Sequence, residues 1–328
     1  MLLPPADLPE LAASANQAPS VHNTQPTRWR LDPDGALWLV ADTTRQLAVG
    51  DPAGRDLRVS LGAALEGTAI ALAERGLGFG AVDYPRGQAA ARIELAPGAA
   101  GDPLVVQVPN RMTWRKGFAP ASAENLRALA EWSNRRDDIT RIHAPAELKV
   151  ISNLNERTSL AFYRNAPYRH ELLSWMRLSP SDPRFGVDGL STPAMGMTGF
   201  EALGAGLVLG DSLFGILDAV GLIGGLISEQ SRTASASAIL LFHRPAEEHP
   251  IDTGRALYRR LLELSVLGFQ TWPMSVLADD PASAAELTAR YKLAAGRRLI
   301  TAWRTGIPPA GATSRRERLP AAALVTTA

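Results

Sequence analysis

Two stretches of this chain repeat each other, and that repetition restricts the fold more than any other feature. "GAALEGTAIALAERGLGFGAV", from Gly62, superposes on "GRALYRRLLELSVLGFQTWPM", from Gly254, with a constant offset of 192 residues. Gly62 then meets Gly254, Leu65 meets Leu257, Ile70 meets Leu262, Leu72 meets Leu264 and Gly76 meets Gly268. Each stretch reads as a helix stopped by glycine. Each is followed at a distance by an apolar, strand-like run, "PLVVQV" at 103–108 and "RRLITAWRTG" at 297–306. Halves that resemble each other imply two related lobes packed about a pseudo-twofold axis, as in a fused homodimer. The expected lobes are 1–109 and 110–328, the second carrying a helical, lid-like insertion at about 179–230.

The 328 residues, 46% of them hydrophobic, suffice for such a pair of cores. Helices are expected near 7–17, 56–76, 121–133, 147–164, 167–178, 200–226, 253–267 and 282–290, and strands near 28–31, 37–41, 103–108, 235–243 and 297–304. That mixture is an α+β chain, central sheets flanked by helices. Lysine and arginine (34) nearly balance aspartate and glutamate (33), so no overall field favours nucleic acid. The absence of cysteine removes disulfides, thiolate nucleophiles and thiolate metal sites together. The N-terminal "MLLPPADLPELAAS" lacks the basic start of a secretory signal, and a cytoplasmic location is expected. In "GFEALGAGLVLGDSLFGILDAVGLIGGLI", 199–227, Glu201, Asp211 and Asp218 interrupt the apolar runs, so no transmembrane span is expected. A helix pair on the core, a lid, or interfacial contact with a membrane surface all fit that stretch.

Two short motifs carry chemistry. "APSVHNTQP", 18–26, puts Ser20, His22, Asn23 and Gln25 on a proline-bounded loop. Asn and Gln amides each offer a donor and an acceptor, which suits a flat heterocycle with an alternating edge, such as a flavin. A loop that caps its own backbone would use the same residues. "NRMTWRKGF", 110–118, sets Arg111, Thr113 and Arg115 at alternate positions, so an extended chain points all three one way. Two guanidiniums and a hydroxyl suit a phosphate, and a solvated basic strand end is the alternative. The basic "SRRER" at 314–318 lies near the C-terminus.

Together these motifs resemble a known family. "APSVHNTQPTRW" resembles the "APSxxNxQPWR" signature of nitroreductase-fold flavoproteins, and "RMTWRKGF" resembles their "RxSxR" phosphate motif. That motif comes first in ordinary members. Its position here, after the Asn/Gln loop of a doubled chain, resembles the fused, pseudo-dimeric Acg-like subfamily of actinobacteria. The resemblance covers the chain except about 179–230, and implies a nitroreductase-like fold with one complete FMN site and a degenerate second one. It assigns Ser20, Asn23 and Gln25 to the ring and ribityl region, Arg111, Thr113 and Arg115 to the phosphate, and Arg315 and Arg316 to its closure. Trp272, Pro273, Met274 and Ser275, in "TWPMS", are implied to line the ring near N5. His22 is a further ring or substrate contact. Thr27 stands where the signature has Trp, and Trp114 lies inside the phosphate motif; both bear on substrate preference.

The implied activity is hydride transfer from NAD(P)H through flavin N5 to a nitroaromatic, quinone or similar small acceptor, with no catalytic side chain required. The alternative is an FMN-binding or storage protein whose insertion covers the flavin. Fused lobes make a monomer sufficient. "GAGLVLG", 204–210, lacks the strand and lysine of a nucleotide loop, and "HRPAEEH", 243–249, lacks helical HExxH spacing, so neither is read as a site.

Overall fold

The computed structural model describes residues 2–327. The first lobe runs α1 (Leu8–Ala15), β1 (Thr27–Leu31), β2 (Leu37–Ala41), α2 (Arg55–Ala73), β3 (Leu77–Asp83) and β4 (Ala90–Pro97). The second continues with α3 (Ala123–Asn134), β5 (Ile139–Ile142), α4 (Pro145–Arg164) and α5 (Ala166–Trp175). Short elements follow: β6 (Met176–Arg177), β7 (Leu190–Ser191), α6 (Thr192–Met195), α7 (Gly199–Val208), α8 (Asp211–Ala219), α9 (Ile223–Leu226) and α10 (Gln230–Ala234). The lobe closes with β8 (Ala238–Pro245), α11 (Pro250–Val266), β9 (Gln270–Pro273), α12 (Val276–Asp279), α13 (Pro281–Arg290) and β10 (Arg297–Gly306). The class is α+β.

The two four-stranded sheets have the same antiparallel plan. The first is ordered β1-β2-β4-β3 and the second β5-β8-β10-β9, so in each the fourth strand lies between the second and third. In each, the long helix joins second strand to third and halts at a left-handed glycine, Gly76 at φ +67° and Gly268 at φ +79°. Only a residue without Cβ takes that turn cheaply.

The two long helices cross where both lack a side chain. A Cβ on Gly62 would lie 1.9 Å from the Ile251 carbonyl oxygen, and one on Gly254 would lie 2.0 Å from that of Val59. The offset of 192 carries Val59 to Ile251, so the contact is reciprocal, as an isologous interface requires. Ala18, Ala63, Ile70, Tyr258 and Leu262 fill the space around the crossing.

The lobes differ in how their sheets are covered. β8 and β10 are buried through most of their length, with clusters on both faces of the sheet around Ile239 and Leu241 and around Leu240 and Phe242. Strands of that kind are continuously apolar. β1 and β2 alternate buried and half-buried residues over one core of α1 and α2. The segment after β4 bridges at Thr113–Thr271 and Ala119–Ile307, while the C-terminal segment crosses back to join β1 at Trp29–Val325.

Two expectations need correction. "PLVVQV" is no strand: Pro103–Gln107 is a 3-10 turn, because the Asp102 carboxylate accepts the Leu104 N–H at 2.9 Å and Pro103 starts the turn. β4 therefore takes the place assigned to 103–108. The single helix expected at 200–226 is three, interrupted at Gly210 and at Gly221, φ +73°. Among the described residues no single helix is long and apolar enough to cross a membrane.

Candidate functional site

The loop after α1 is strained where the chemistry lies. His22, Asn23 and Gln25 have φ of 44°, 54° and 50°, left-handed values that cost a non-glycine residue of order 1–3 kcal/mol each. Side chains hold the loop there. Ser20 Oγ accepts the Gln25 N–H at 2.9 Å, and Val21 N–H donates to Ser60 Oγ on α2 at 3.1 Å. Asn23 Nδ2 donates to the carbonyls of Gly189 and Glu317 at 3.2 and 3.1 Å. Gln25 Oε1 accepts from Asn16 Nδ2 and Leu319 N–H, both at 2.8 Å, while its Nε2 donates to the Val187 carbonyl at 2.9 Å. Both amides are thus bonded to protein: they fasten the C-terminal segment and the 187–189 turn to the loop.

Guanidiniums gather beside that loop. Arg111, 4% exposed, faces the Tyr258 ring at 6.0 Å, makes one long bond from Nη2 to the Gln17 carbonyl at 3.5 Å, and has an Nε without a partner. Arg115 donates to the Ala194 carbonyl at 2.8 Å. Thr113 lies between them, its backbone bridged to Thr271. From the C-terminal segment, Arg316 donates to the carbonyls of Val108 and Pro109 at 2.6 and 2.5 Å. Arg318 donates to those of Asn16 and Gln17 at 2.6 and 3.0 Å, and to Asn23 Oδ1 at 3.0 Å. Among the described residues none of the four forms an ion pair with a carboxylate. Glu317, between two of them in sequence, has both carboxylate oxygens buried without a hydrogen-bond partner, with Arg315 Nε nearest at 3.7 Å.

Electrostatics record the crowding. Burial, then the neighbouring Arg316, lowers Arg111 to about 10, against a pull upward from Tyr258. Burial and Arg111 lower Arg115 to about 10, and burial with Arg111 and Arg316 lowers Arg318 to about 9. Arg316 is lowered chiefly by burial. All four remain charged at neutral pH. His22 is held down to about 4 by desolvation and Arg115, with Glu171 opposing, so its imidazole is neutral there. This donor set fits a phosphate: one buried and three half-buried forks, none ion-paired to a carboxylate among the described residues, and one orphaned N–H on Arg111.

Of the residues expected at the site, Ser20, His22, Asn23, Gln25, Arg111, Thr113, Arg115 and Arg316 gather around it. Arg315 does not, its side chain being 60% exposed. Met274 is 1% exposed in the core beside Leu277 and Ala302, and its N–H donates to the Ala302 carbonyl at 2.7 Å, so it does not line an open face. Pro273 and Ser275 are exposed, and Trp272 is half-buried beneath the Arg304 guanidinium at 4.3 Å. Sequence reasoning missed Arg318 and Tyr258. Arg318 had a signal: in the extended "SRRER" it shares a side with Arg316.

No protein-family model matches the chain. Solved structures that superpose on it include the FMN-dependent nitroreductase NfnB from Mycobacterium smegmatis in complex with NADPH, at 16% identity over 64% of this chain and 91% of that one, TM-score 0.33. A nitroreductase with bound FMN from Bacteroides fragilis superposes at 14% identity over 66% and 95%, TM-score 0.36. Scores so low carry no argument about the fold. In sequence, the chain is 35% identical over 170 residues to Mycobacterium tuberculosis proteins of strains CDC 1551 and H37Rv, provisionally named NAD(P)H nitroreductases. The alignment takes in 49% of this chain and 48% of each relative, so the chain spans about half the length of the curated relatives it matches.

Proposed function

We propose that this chain is an FMN-dependent oxidoreductase of the nitroreductase kind, taking hydride from NAD(P)H and delivering it to a nitroaromatic, quinone or similar small acceptor. The observation that carries this reading is the arginine cluster: four guanidiniums, Arg111 buried and Arg115, Arg316 and Arg318 half-buried, with no ion-pair partner among the described residues, beside a strained loop. Similarity to relatives named for NAD(P)H nitroreduction supports it. FMN, when bound, supplies the hydride chemistry at N5.

The chain's own residues would bind and orient. Arg111, Arg115, Arg316 and Arg318 would hold the phosphate, with Thr113 between the first two. Ser20, Asn23 and Gln25 keep the loop in its left-handed shape, which presents His22 beside Arg115. A neutral His22 offers one donor and one acceptor and carries no charge to the ring. The matching sheet orders and reciprocal glycine contacts support the further proposal of a fused pseudo-dimer, lobes 1–109 and 110–328, of the Acg-like type.

One observation favours FMN storage as a second reading. The turn at 187–189 and the Ala194 carbonyl lie directly on Asn23, Gln25 and Arg115, where they would restrict access of a nicotinamide. Absorption of the purified protein, then chromatography of what boiling releases, tests the shared premise. Flavin bands and released FMN are expected; a colourless protein that takes up no added FMN would refute both readings. Steady NAD(P)H oxidation with a quinone would exclude pure storage.

A further inference from the structure

The glycine crossing fixes a correspondence that reaches beyond the helices. At the same offset, Tyr258 of the arginine cluster corresponds to Glu66, and Ser60, which holds the strained loop through Val21, corresponds to Asp252. Those two counterparts lie together. With Arg255, Ala256 and Arg259 they line one cleft of about 330 Å³ on the two long helices. That cleft is therefore the pseudo-symmetric mate of the arginine cluster.

The charges in the two places have opposite logic. On the cluster's side the positions matching Arg255 and Arg259 are Ala63 and Gly67, so the helices contribute no cation, and the arginines arrive from the segment after β4 and from the C-terminal segment. In the cleft the arginines come from α11 itself, four residues apart, and meet acids. Glu66, its side chain 4% exposed, takes Arg255 Nε on one oxygen at 3.1 Å and Arg259 Nε on the other at 2.6 Å. Arg259 also reaches Asp102 at 2.6 Å. A carboxylate presenting an oxygen to each of two guanidiniums does for them what two oxygens of a phosphate would do.

We infer that Glu66 is a built-in anion that closes the second, pseudo-equivalent site, so that the chain offers one phosphate clamp and not two. The inference rests on the pseudo-dimer reading. It makes position 66 the determinant of where a phosphate group is accepted, and its counterpart, position 258, must stay free of a carboxylate for the first site to work.

The test uses inorganic phosphate, followed by calorimetric titration, in the full chain carrying Arg111→Ala and Arg115→Ala, which silences the first clamp. That background is expected to take up no phosphate. Adding Glu66→Gln is expected to create a salt-sensitive phosphate site that Arg259→Ala abolishes. A folded Glu66→Gln chain that still takes up none overturns the inference. Because this readout lies outside the arginine cluster, it holds whether or not the native cluster binds FMN, and failure of the functional reading is scored separately by the wild-type flavin content. Should Glu66→Gln not fold, Glu66→Ala in the same background decides: uptake of phosphate that Arg259→Ala abolishes is expected, and a folded chain that takes up none overturns the proposal.

Discussion

The two lobes share a frame and differ in what they put on it. Both order their strands alike, both stop the long helix at a left-handed glycine, and each helix meets the other at a residue with no side chain. Yet at matching points along the two long helices one site gathers arginines without ion-paired acids, and the other ties arginines to Glu66. Backbone contact is therefore the part of the shared frame that admits no side chain, because a Cβ at the crossing has nowhere to go. Charge on the helix flanks differs between the two places, and the geometry requires only that each buried ion be paired or left for a ligand.

The largest expected effect attacks the shared frame. Gly62→Val and Gly254→Val should each destabilise the protein by about 4 kcal/mol or more, since each forces backbone apart from backbone, and the two losses should be similar. Chemical denaturation measures both; a severe loss in one and a mild loss in the other would break the equivalence. Next, Arg111→Ala and Arg115→Ala should each weaken FMN binding by roughly 1.5–3 kcal/mol, the worth of a charge-assisted hydrogen bond, whereas Arg255→Ala leaves flavin content unchanged. Equal losses from all three variants would mean that the cleft, too, holds cofactor.

A smaller effect belongs to His22, which has no counterpart histidine. Its folded pKa, about 4, lies below the ordinary 6.5, so between those values the unfolded chain binds the extra proton and stability rises with pH. The full shift corresponds to about 3 kcal/mol, and because the ring keeps some solvent contact a gain of about 2 kcal/mol is expected across that window. His22→Gln should flatten that part of the melting profile; an unchanged slope would remove His22 from the buried site. Last, Thr68→Val should cost about 1 kcal/mol by unpairing the Trp29 indole N–H, which now donates to Thr68 Oγ1 at 3.0 Å. Its counterpart Arg260 holds the fully buried Asp138, so Arg260→Met should cost more in the same assay.

The frame was largely legible. The paired glycines and the long helices are read directly from "GAALEG" and "GRALYR", because close packing leaves an imprint in residue type. β3 and β4 escaped notice since "LGFGAVD" and "AARIELAP" are rich in glycine and alanine, which carry weak strand preference. "PLVVQV" misled because its β-branched residues look like a strand, while the Asp102–Pro103 start that makes it a turn is a two-residue signal. The arginines at 111 and 115 were visible from their spacing, and Arg316 from its basic cluster. The replacement of Arg315 by Arg318 was decided by which face of an extended tail lies against Asn16 and Gln17.

By itself, then, the sequence determined which two helices carry matching glycines, where those helices touch, and which residues carry polar and cationic chemistry, since all three follow from local spacing and side-chain type. Only the tertiary structure decided that Asn23 and Gln25 spend their amides on the chain's own carbonyls, that Met274 is core, and that one set of arginines has acids while its counterpart has none. The amide and ion-pair outcomes depend on partners 150 to 300 residues away in sequence, such as Glu317 for Asn23 and Arg259 for Glu66. Hydrogen bonding and ion pairing act over a few ångströms of space, and no local pattern records which distant group will fill them.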